Sequence, residues 1–529
     1  MADLPHETAP AQPRSRRLGL CLGLIAFVVL WRLGHSSPEQ APVFRMAAVA
    51  ALMAIWWITD AIPLAATSLL PIVLFPLLGI MKGKEVAPVY VNSIIFLFVG
   101  GFLIALAMER WNLHRRIALN VIRLVGSSPS RMVLGFMLAT AFLSMWISNT
   151  ATTIMMVAIA LSVIQSAEDA FGKKATAGLS VAMLLGIAYS ASIGGMATPV
   201  GTPPNLALMR IFEQSFPEAE AAGASLAFGQ WMLLGLPLAV LLLGITWILL
   251  TRVFYRSPAN LALSGEIIEE KRRALGPIRY EERVVLVVFA ATALLWVFRK
   301  DLVLGSFTVP GWSNLLPSGS LLDDGTIAIA MALLLFVIPA RRPAPAETDE
   351  AANRYGSILD FDVFARVPWH IVLLFGGGFA LAKGFQTSGL SAWVGSGFGG
   401  LEGVPVIAII AVLCGGLTFL TELTSNTATT EMILPLLASI AQSMKVHPLL
   451  LMVPATLSAS CAFMMPVATP PNAIVFGSGR IRIAQMVKVG IVLNLIGIVV
   501  ITVVFLFLGP LVFGIDLQAM PDWAEVELP

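Results

Sequence analysis

Charge is what this chain of 529 residues has least of: lysine, arginine, aspartate and glutamate make up 12% of it, against 57% hydrophobic residues and a mean hydropathy of +0.86. A soluble domain carries about 25% charged residues, so that class is excluded. A formal net charge of +2, with the basic residues scattered through loops, leaves no electrostatic footprint for nucleic acid. Cysteine is scarce too. Cys21, Cys414 and Cys461 lie in apolar segments with neither metal-ligand spacing nor a disulfide framework, and read as small packing residues. No small-residue cleavage site follows Arg14, Arg16, Arg17 and the apolar run from Leu18 to Leu30, so an uncleaved first span is expected rather than a signal peptide. Catalytic signatures are missing as well. Without an intramembrane Ser-Lys, paired Asp or His-Glu-x-x-His constellation, an intramembrane hydrolase is disfavoured.

What the chain has instead is bilayer-length apolar sequence. The expected fold is an all-α polytopic membrane protein with eleven crossings, at 18–34, 44–62, 64–81, 92–109, 175–210, 229–252, 282–298, 325–340, 368–386, 448–478 and 485–513. Two further apolar stretches, 130–166 and 405–443, have polar centres and read as re-entrant hairpins. Non-helical backbone survives at membrane depth only where protein or a wet cavity surrounds it. Residues 1–17, polar and Pro-containing, are expected to be a disordered tail.

Basic residues set the expected orientation. Arg110, Arg115, Arg116 and Arg123 follow the fourth span on an amphipathic, interfacial stretch, and Lys173 and Lys174 precede the fifth. Arg252, Arg256, Lys271, Arg272, Arg273, Arg279 and Arg283 fill the next loop on that side. Arg341, Arg342, Arg354 and Arg366, then Arg480, Arg482 and Lys488, fill the last two. The opposite loops hold only Lys82 and Lys84, Arg299 and Lys300, or His447. This alternation puts the N-terminus in the cytoplasm and the C-terminus outside. The basic clusters are expected to be solvated loops that set topology.

Within the oily background one hexapeptide occurs twice: Ser-Asn-Thr-Ala-Thr-Thr at 148–153 and at 425–430. A constant offset of 277 residues also aligns Leu97–Phe102 with Leu374–Phe379, Phe142-Leu143 with Phe419-Leu420, and Gln165-Ser166 with Gln442-Ser443. Further on, Thr202-Pro203-Pro204-Asn205 recurs as Thr469-Pro470-Pro471-Asn472. An ungapped register of this length marks an internal repeat. The fourth span runs into the basic region at 110–123, whereas the ninth leaves the basic loop at 341–366, so the two copies are inverted in the bilayer. Inverted repeats with paired broken helices favour alternating-access transport.

Each half thus offers a hairpin tip and a Thr-Pro break. Consecutive prolines force the helix open. The freed carbonyls, with hydroxyl and Asn oxygens, suit a hard cation such as Na⁺. The tips and second half-helices supply N-terminal amides, which favour an anion. No Lys or Arg lies in either tip or break. A bound dianion therefore needs a co-bound cation, which gives coupling a physical reason. Gly100-Gly101 and Gly376–Gly378 read as close helix contacts, Glu422 and Glu431 as structural hydrogen-bonding groups, and Asp60 as a turn residue.

At these motifs, and at Trp56-Trp57 to Pro63, the chain resembles the divalent anion/sodium symporter family, related to the mammalian solute carrier 13 transporters of dicarboxylates, citrate and sulfate. The resemblance covers about 40–515. It implies a homodimer in the inner membrane that works as an elevator. Scaffold helices at 18–129 and 282–404 would flank a transport domain at 130–252 and 405–529, with a cytoplasmic loop at 253–281. It also implies one sodium site at Ser144, Ser148, Asn149 and Gly201, and a second at Thr421, Thr424, Asn426 and Ala468. Substrate carboxylates would meet Asn149 and Thr150 on one side and Asn426 and Thr427 on the other, with Thr202, Thr469 and Pro470 completing the pocket. Thr202 stands where the family also uses Ser, and Asp60 where Glu is expected. The implied activity is Na⁺-coupled uptake of a C4-dicarboxylate such as succinate, malate or fumarate. A sodium-independent exchanger, a citrate or sulfate transporter, and a channel are the alternatives.

Overall fold

A computed structural model describes residues 14–36, 38–256, 265–304, 307–341, 356–398, 404–517 and 519–525. Helices α1 (Arg14–Ser36) and α2 (Ala41–Thr59) pack along each other and lead into the short α3 (Leu64–Thr67), α4 (Leu70–Leu78) and α5 (Gly83–Val86). The first half continues with α6 (Ser93–Arg110), α7 (Leu113–Val125), α8 (Pro129–Ser144), α9 (Asn149–Phe171), α10 (Lys173–Gly195), α11 (Pro203–Ser215) and α12 (Phe228–Ile248). Then come α13 (Glu266–Ala274), α14 (Tyr280–Val297) and α15 (Asp324–Val337). The second half holds α16 (Trp369–Ser388), α17 (Leu390–Ser396), α18 (Val406–Leu420), α19 (Asn426–Ser443), α20 (Leu449–Ala459), α21 (Pro470–Gly477) and α22 (Ile483–Phe513).

The sequence repeat is a repeat of elements. In both halves a long helix (α6, α16) is followed by a helix–turn–helix (α8–α9, α18–α19), a broken helix (α10–α11, α20–α21) and a single apolar helix (α12, α22). Each break ends where two prolines open the next helix, in the first turn, where N–H groups have no intrahelical partner to lose. Eight helices are long and apolar enough to cross a membrane, and five more apolar helices are shorter, among the described residues.

Several expectations are corrected. The all-α class is nearly met, but β1 (Leu302–Leu304) and β2 (Phe307–Val309) form a small antiparallel hairpin, with Val303 opposite Thr308. The expected tail overlaps α1, which starts at Arg14; Arg16 is tied down by Asp60 at 2.8 Å. Residues 1–13 lie outside the described residues, as do Arg342, Arg354 and 257–264 of the loop expected at 253–281. The expected crossing at 64–81 is two short helices, interrupted at Ser68-Leu69, where Ser68 Oγ donates back to Leu64 O at 2.8 Å.

The basic clusters are also less solvated than expected. Arg116 donates to Glu282 at 2.5 Å and to Gly276 O at 2.9 Å, which docks amphipathic α7 onto α13 and α14. Arg110 pairs with Asp360 at 2.6 Å and holds that carboxyl below the usual carboxylate range. Arg480 pairs with Glu168 at the foot of α9. Such arginines can still set topology, but they also tie distant segments together.

The glycine expectation divides. Gly100 lets α6 lie against Ala328 of α15, where any Cβ would collide with backbone, whereas Gly101 meets only ordinary contacts. Apolar side chains form two clusters. The larger is built through α6–α15 and α18–α22. The smaller gathers α2, α4, α5 and one face of α16, with Met53, Trp57, Phe75, Leu381 and Phe385. Helix α16 contributes to both, since Phe375 and Phe379 point into the larger one.

Candidate functional site

One cavity of about 470 Å³ collects both hairpin tips and both breaks. Ser148, Asn149 and Thr150 line it from the first tip, and Thr424, Ser425, Asn426 and Thr427 from the second. Gly201, Thr202, Pro203 and Pro204 come from the first break, and Ala468, Thr469, Pro470 and Pro471 from the second. Tip residues 277 positions apart and break residues 267 positions apart thus share one space. Ser144 and Thr421 do not line it. Both are fully buried one layer behind, at the ends of α8 and α18.

Local sequence explains the geometry. Helices α9, α11, α19 and α21 all begin at this cavity, with Ser148, Thr202, Ser425 and Thr469 as N-cap residues. Ser425 Oγ accepts from Ala428 N at 3.5 Å, and Thr469 Oγ1 accepts from Asn472 N at 3.3 Å. Four helix N-termini meet at one cavity, each equivalent to about half a positive charge. Helices α9 and α19 also bring free N–H groups, whereas α11 and α21 open on two prolines and their third N–H is already bonded. Among the described lining residues there is no lysine or arginine. Of these residues only His370 can carry a positive charge, so anion attraction at this site rests on helix ends, amides and hydroxyls.

The breaks are held open by a repeated clamp. Asn205 Nδ2 donates to Gly195 O at 3.3 Å and to Thr198 O at 2.8 Å. Asn472 Nδ2 donates to Ala462 O at 3.0 Å and to Met465 O at 3.1 Å. In each case the acceptors lie ten and seven residues upstream. The second break has an added support. The Glu422 carboxylate accepts from the N–H groups of Phe463, Met464 and Met465 at 2.7–2.9 Å and from Asn494 Nδ2 at 2.7 Å, the structural role expected of it. The repeat places Met145 at the equivalent first-half position.

Oxygens converge beside each tip. The end of the Asn149 side chain touches Ser144 Oγ and lies 3.2 Å from Ala191 O and 3.3 Å from Gly201 O. With its own oxygen turned inward, the group is a set of acceptors that a hard cation would satisfy; with its nitrogen inward, the amide donates to the same carbonyls. On the other side, Asn426 Oδ1 and Ser460 Oγ are buried with no hydrogen-bond partner among the described residues. Thr424 Oγ1 lies 2.7 Å from Thr429 Oγ1, and Thr421 Oγ1 donates to Thr418 O at 3.2 Å. These positions also receive the carbonyl ends of α8, α10, α18 and α20, the negative poles of four helices. The donor sets fit Na⁺.

Sequence reasoning missed several wall residues. His370 and Leu374 of α16, Phe98 and Phe102 of α6, and Ser192 and Ser460 at the ends of α10 and α20 all line the cavity. Only the two serines carried a usable signal, as small polar residues just before the breaks. Asp60, read as a turn residue, is one: it has a left-handed backbone (φ 47°) at the end of α2 and also lines the cavity. Glu431 departs from expectation. Both its oxygens are buried, and neither has a hydrogen-bond partner among the described residues.

Comparison with known proteins agrees with this architecture. Residues 14–515 match the family described as the sodium:sulfate symporter transmembrane region. The chain is 43% identical over 510 residues to the sodium-dependent dicarboxylate transporter SdcS of Staphylococcus aureus strain bovine RF122 / ET3-1, covering 95% of this chain and 93% of that protein. The SdcS protein of strain USA300 matches with the same identity and coverage. Among solved structures, Neisseria gonorrhoeae MtrF, described with a class of antimetabolite efflux pumps, aligns with a TM-score of 0.55. That alignment covers 88% of this chain and 94% of the other at 13% identity, a likeness of fold alone.

Proposed function

Because this chain belongs to the family of the sodium:sulfate symporter transmembrane region, we propose that it couples uptake of a C4-dicarboxylate to Na⁺. It is a multi-pass membrane transporter and not an enzyme. The observation that carries the substrate class is the cavity where four helix N-termini meet with no lysine or arginine among the described lining residues. Two apposed tips offer one carboxylate-binding end each: Asn149 and Thr150 on one side, Asn426 and Thr427 on the other. Thr202, Thr469 and Pro470 form the walls between them.

Sodium enters as co-substrate. One ion would be held by Ser144, Ser148, Asn149 and Gly201, the other by Thr421, Thr424, Asn426 and Ala468. Helix ends and amides do not fully offset a dianion in a low-dielectric site, so cations beside it lower the cost of binding. Substrate and sodium then bind together, and neither moves efficiently alone. The 43% identity to proteins named sodium-dependent dicarboxylate transporters supports this reading over sulfate or citrate.

The same proposal covers the architecture. Eleven crossings and two re-entrant hairpins form an inverted repeat in the inner membrane, N-terminus inside and C-terminus outside. The 130–252 and 405–529 segments move as an elevator against 18–129 and 282–404, within a homodimer. The test is uptake of labelled succinate into proteoliposomes under an inward Na⁺ gradient. Accumulation above the equilibrium level is expected with Na⁺ and is lost when choline replaces it. Equal accumulation in choline would refute sodium coupling.

A further inference from the structure

Three consecutive glycines of α16 each make room for a different element. A Cβ at Gly376 would collide with the Tyr90 ring, one at Gly377 with Ser68, and one at Gly378 with the Glu431 carboxyl group, 2.3 Å from its Oε2. Glu431 thus lies across the bare backbone of α16. It is fully buried, and neither oxygen has a hydrogen-bond partner among the described residues.

The groups that could compensate a charge are engaged or remote. The Tyr90 hydroxyl donates to Ser68 O at 2.6 Å, so its proton is committed. Arg210 and Glu213 of α11 pair with each other, and Arg45 of α2 donates to Leu78 O. On α16, His370 lines the central cavity and Lys383 is exposed. Helices α17 and α20, also packed on α19, contain no titratable residue. Among the described residues nothing offsets the desolvation of an ionised carboxylate in this place, whereas the neutral acid fits.

The repeat adds a second point. Glu431 occupies the position that Ile154 occupies in the first hairpin, and Ile154 is exposed. The acid therefore belongs to one half only, on the helix that begins with Asn426. We propose that Glu431 is a proton-binding site that couples protonation to movement of α19 across α16. In the arrangement described, the proton is held and the interface is closed. When α19 moves past the glycine notch and the carboxyl meets water, the proton leaves, and it must return before the interface re-forms. The coupling rests on the elevator reading above; the proton site itself does not.

Two measurements on the full-length protein test this, comparing parent with Glu431→Gln, a neutral side chain of nearly the same shape. In proteoliposomes at matched internal and external pH from 6 to 9, parent succinate uptake should fall with rising pH. Its slope should approach tenfold per pH unit, the limit for one required proton. Glu431→Gln should lack this dependence, so the ratio of parent to variant uptake should fall with pH; substrate protonation cancels in that ratio because both proteins meet the same succinate. In detergent, the parent's melting temperature should fall relative to that of Glu431→Gln as pH rises over the same range. Identical pH profiles for the two proteins in both assays would overturn the proposal. A melting difference with parallel uptake profiles would keep the proton site and overturn its coupling to movement. If the parent accumulates no dicarboxylate under a Na⁺ gradient, the proposed function fails, and melting alone decides the proton site.

Discussion

At the scale of single residues, asparagine does two different jobs around one cavity. Asn205 and Asn472 spend their amide protons on carbonyls freed by the breaks, while Asn426 keeps a buried oxygen with no partner. The first use is architectural and the second leaves capacity for a ligand. Asn472→Ala should leave Ala462 and Met465 carbonyls without their donor and destabilise the protein by about 1–3 kcal/mol. Asn426→Ala removes no bond from its acceptor oxygen, so its stability should stay within about 0.5 kcal/mol of the parent, yet sodium-driven succinate uptake should be lost. Melting temperature and uptake on the same preparations separate the two effects. Parent-level uptake by Asn426→Ala would remove that residue from the site. Both clamp asparagines stand in the duplicated Thr-Pro-Pro-Asn motif, but the motif alone does not say which of its residues faces the cavity and which closes the break.

At the scale of elements, what could be read in advance was whatever is encoded locally or twice. Duplication exposed both tips and both breaks, and apolar length exposed the long helices. Contacts between residues far apart in sequence were not legible. Nothing near Arg116 in the chain announces Glu282, and nothing in 64–81 announces that Ser68 would divide it. The segment joining α19 to α20 is another such case. His447 is buried there, its Nδ1 accepts from Leu449 N at 3.2 Å, and its ring meets Trp523 edge-to-face at 5.3 Å. Burial pushes the His447 imidazole down to about 4, opposed by the nearby Asp516 carboxylate. Its ordinary value is 6.5. Between those two values the unfolded chain binds a proton that the folded chain refuses, so stability falls as pH drops from 6.5 towards 4 and is unaffected by this group above 6.5. At about 1.4 kcal/mol per unit, the loss is at most about 3.5 kcal/mol. His447→Gln should lack this component. Melting curves of the two proteins that shift in parallel from pH 7 to 4.5 would show that His447 does not carry it.

At the scale of the whole molecule, α16 is the dividing wall. Its one face joins the smaller apolar cluster with α2, α4 and α5, its other face joins the larger cluster, and its glycine notch receives Glu431. It is also bonded to α11. Gln214 Nε2 donates to Phe379 O at 3.1 Å, and Gln386 Nε2 donates to Gln214 O at 3.1 Å. In the proposed elevator α11 travels with the tips and α16 stays, so these two bonds must break in every cycle. Two hydrogen bonds, one part-buried and one exposed, are weak enough to allow this, each contributing about 1 kcal/mol. A covalent link at the same place is not. With Cys21 replaced, the remaining native cysteines are buried, so cysteines introduced at Gln214 and Gln386 can be joined selectively by a short thiol cross-linker. Sodium-driven uptake should fall to background on cross-linking and recover when the link is reduced. If protein shown by mass to be fully cross-linked transports at the unlinked rate, α11 and α16 do not move apart during transport. The division of the chain into a fixed and a travelling part would then have to be drawn elsewhere.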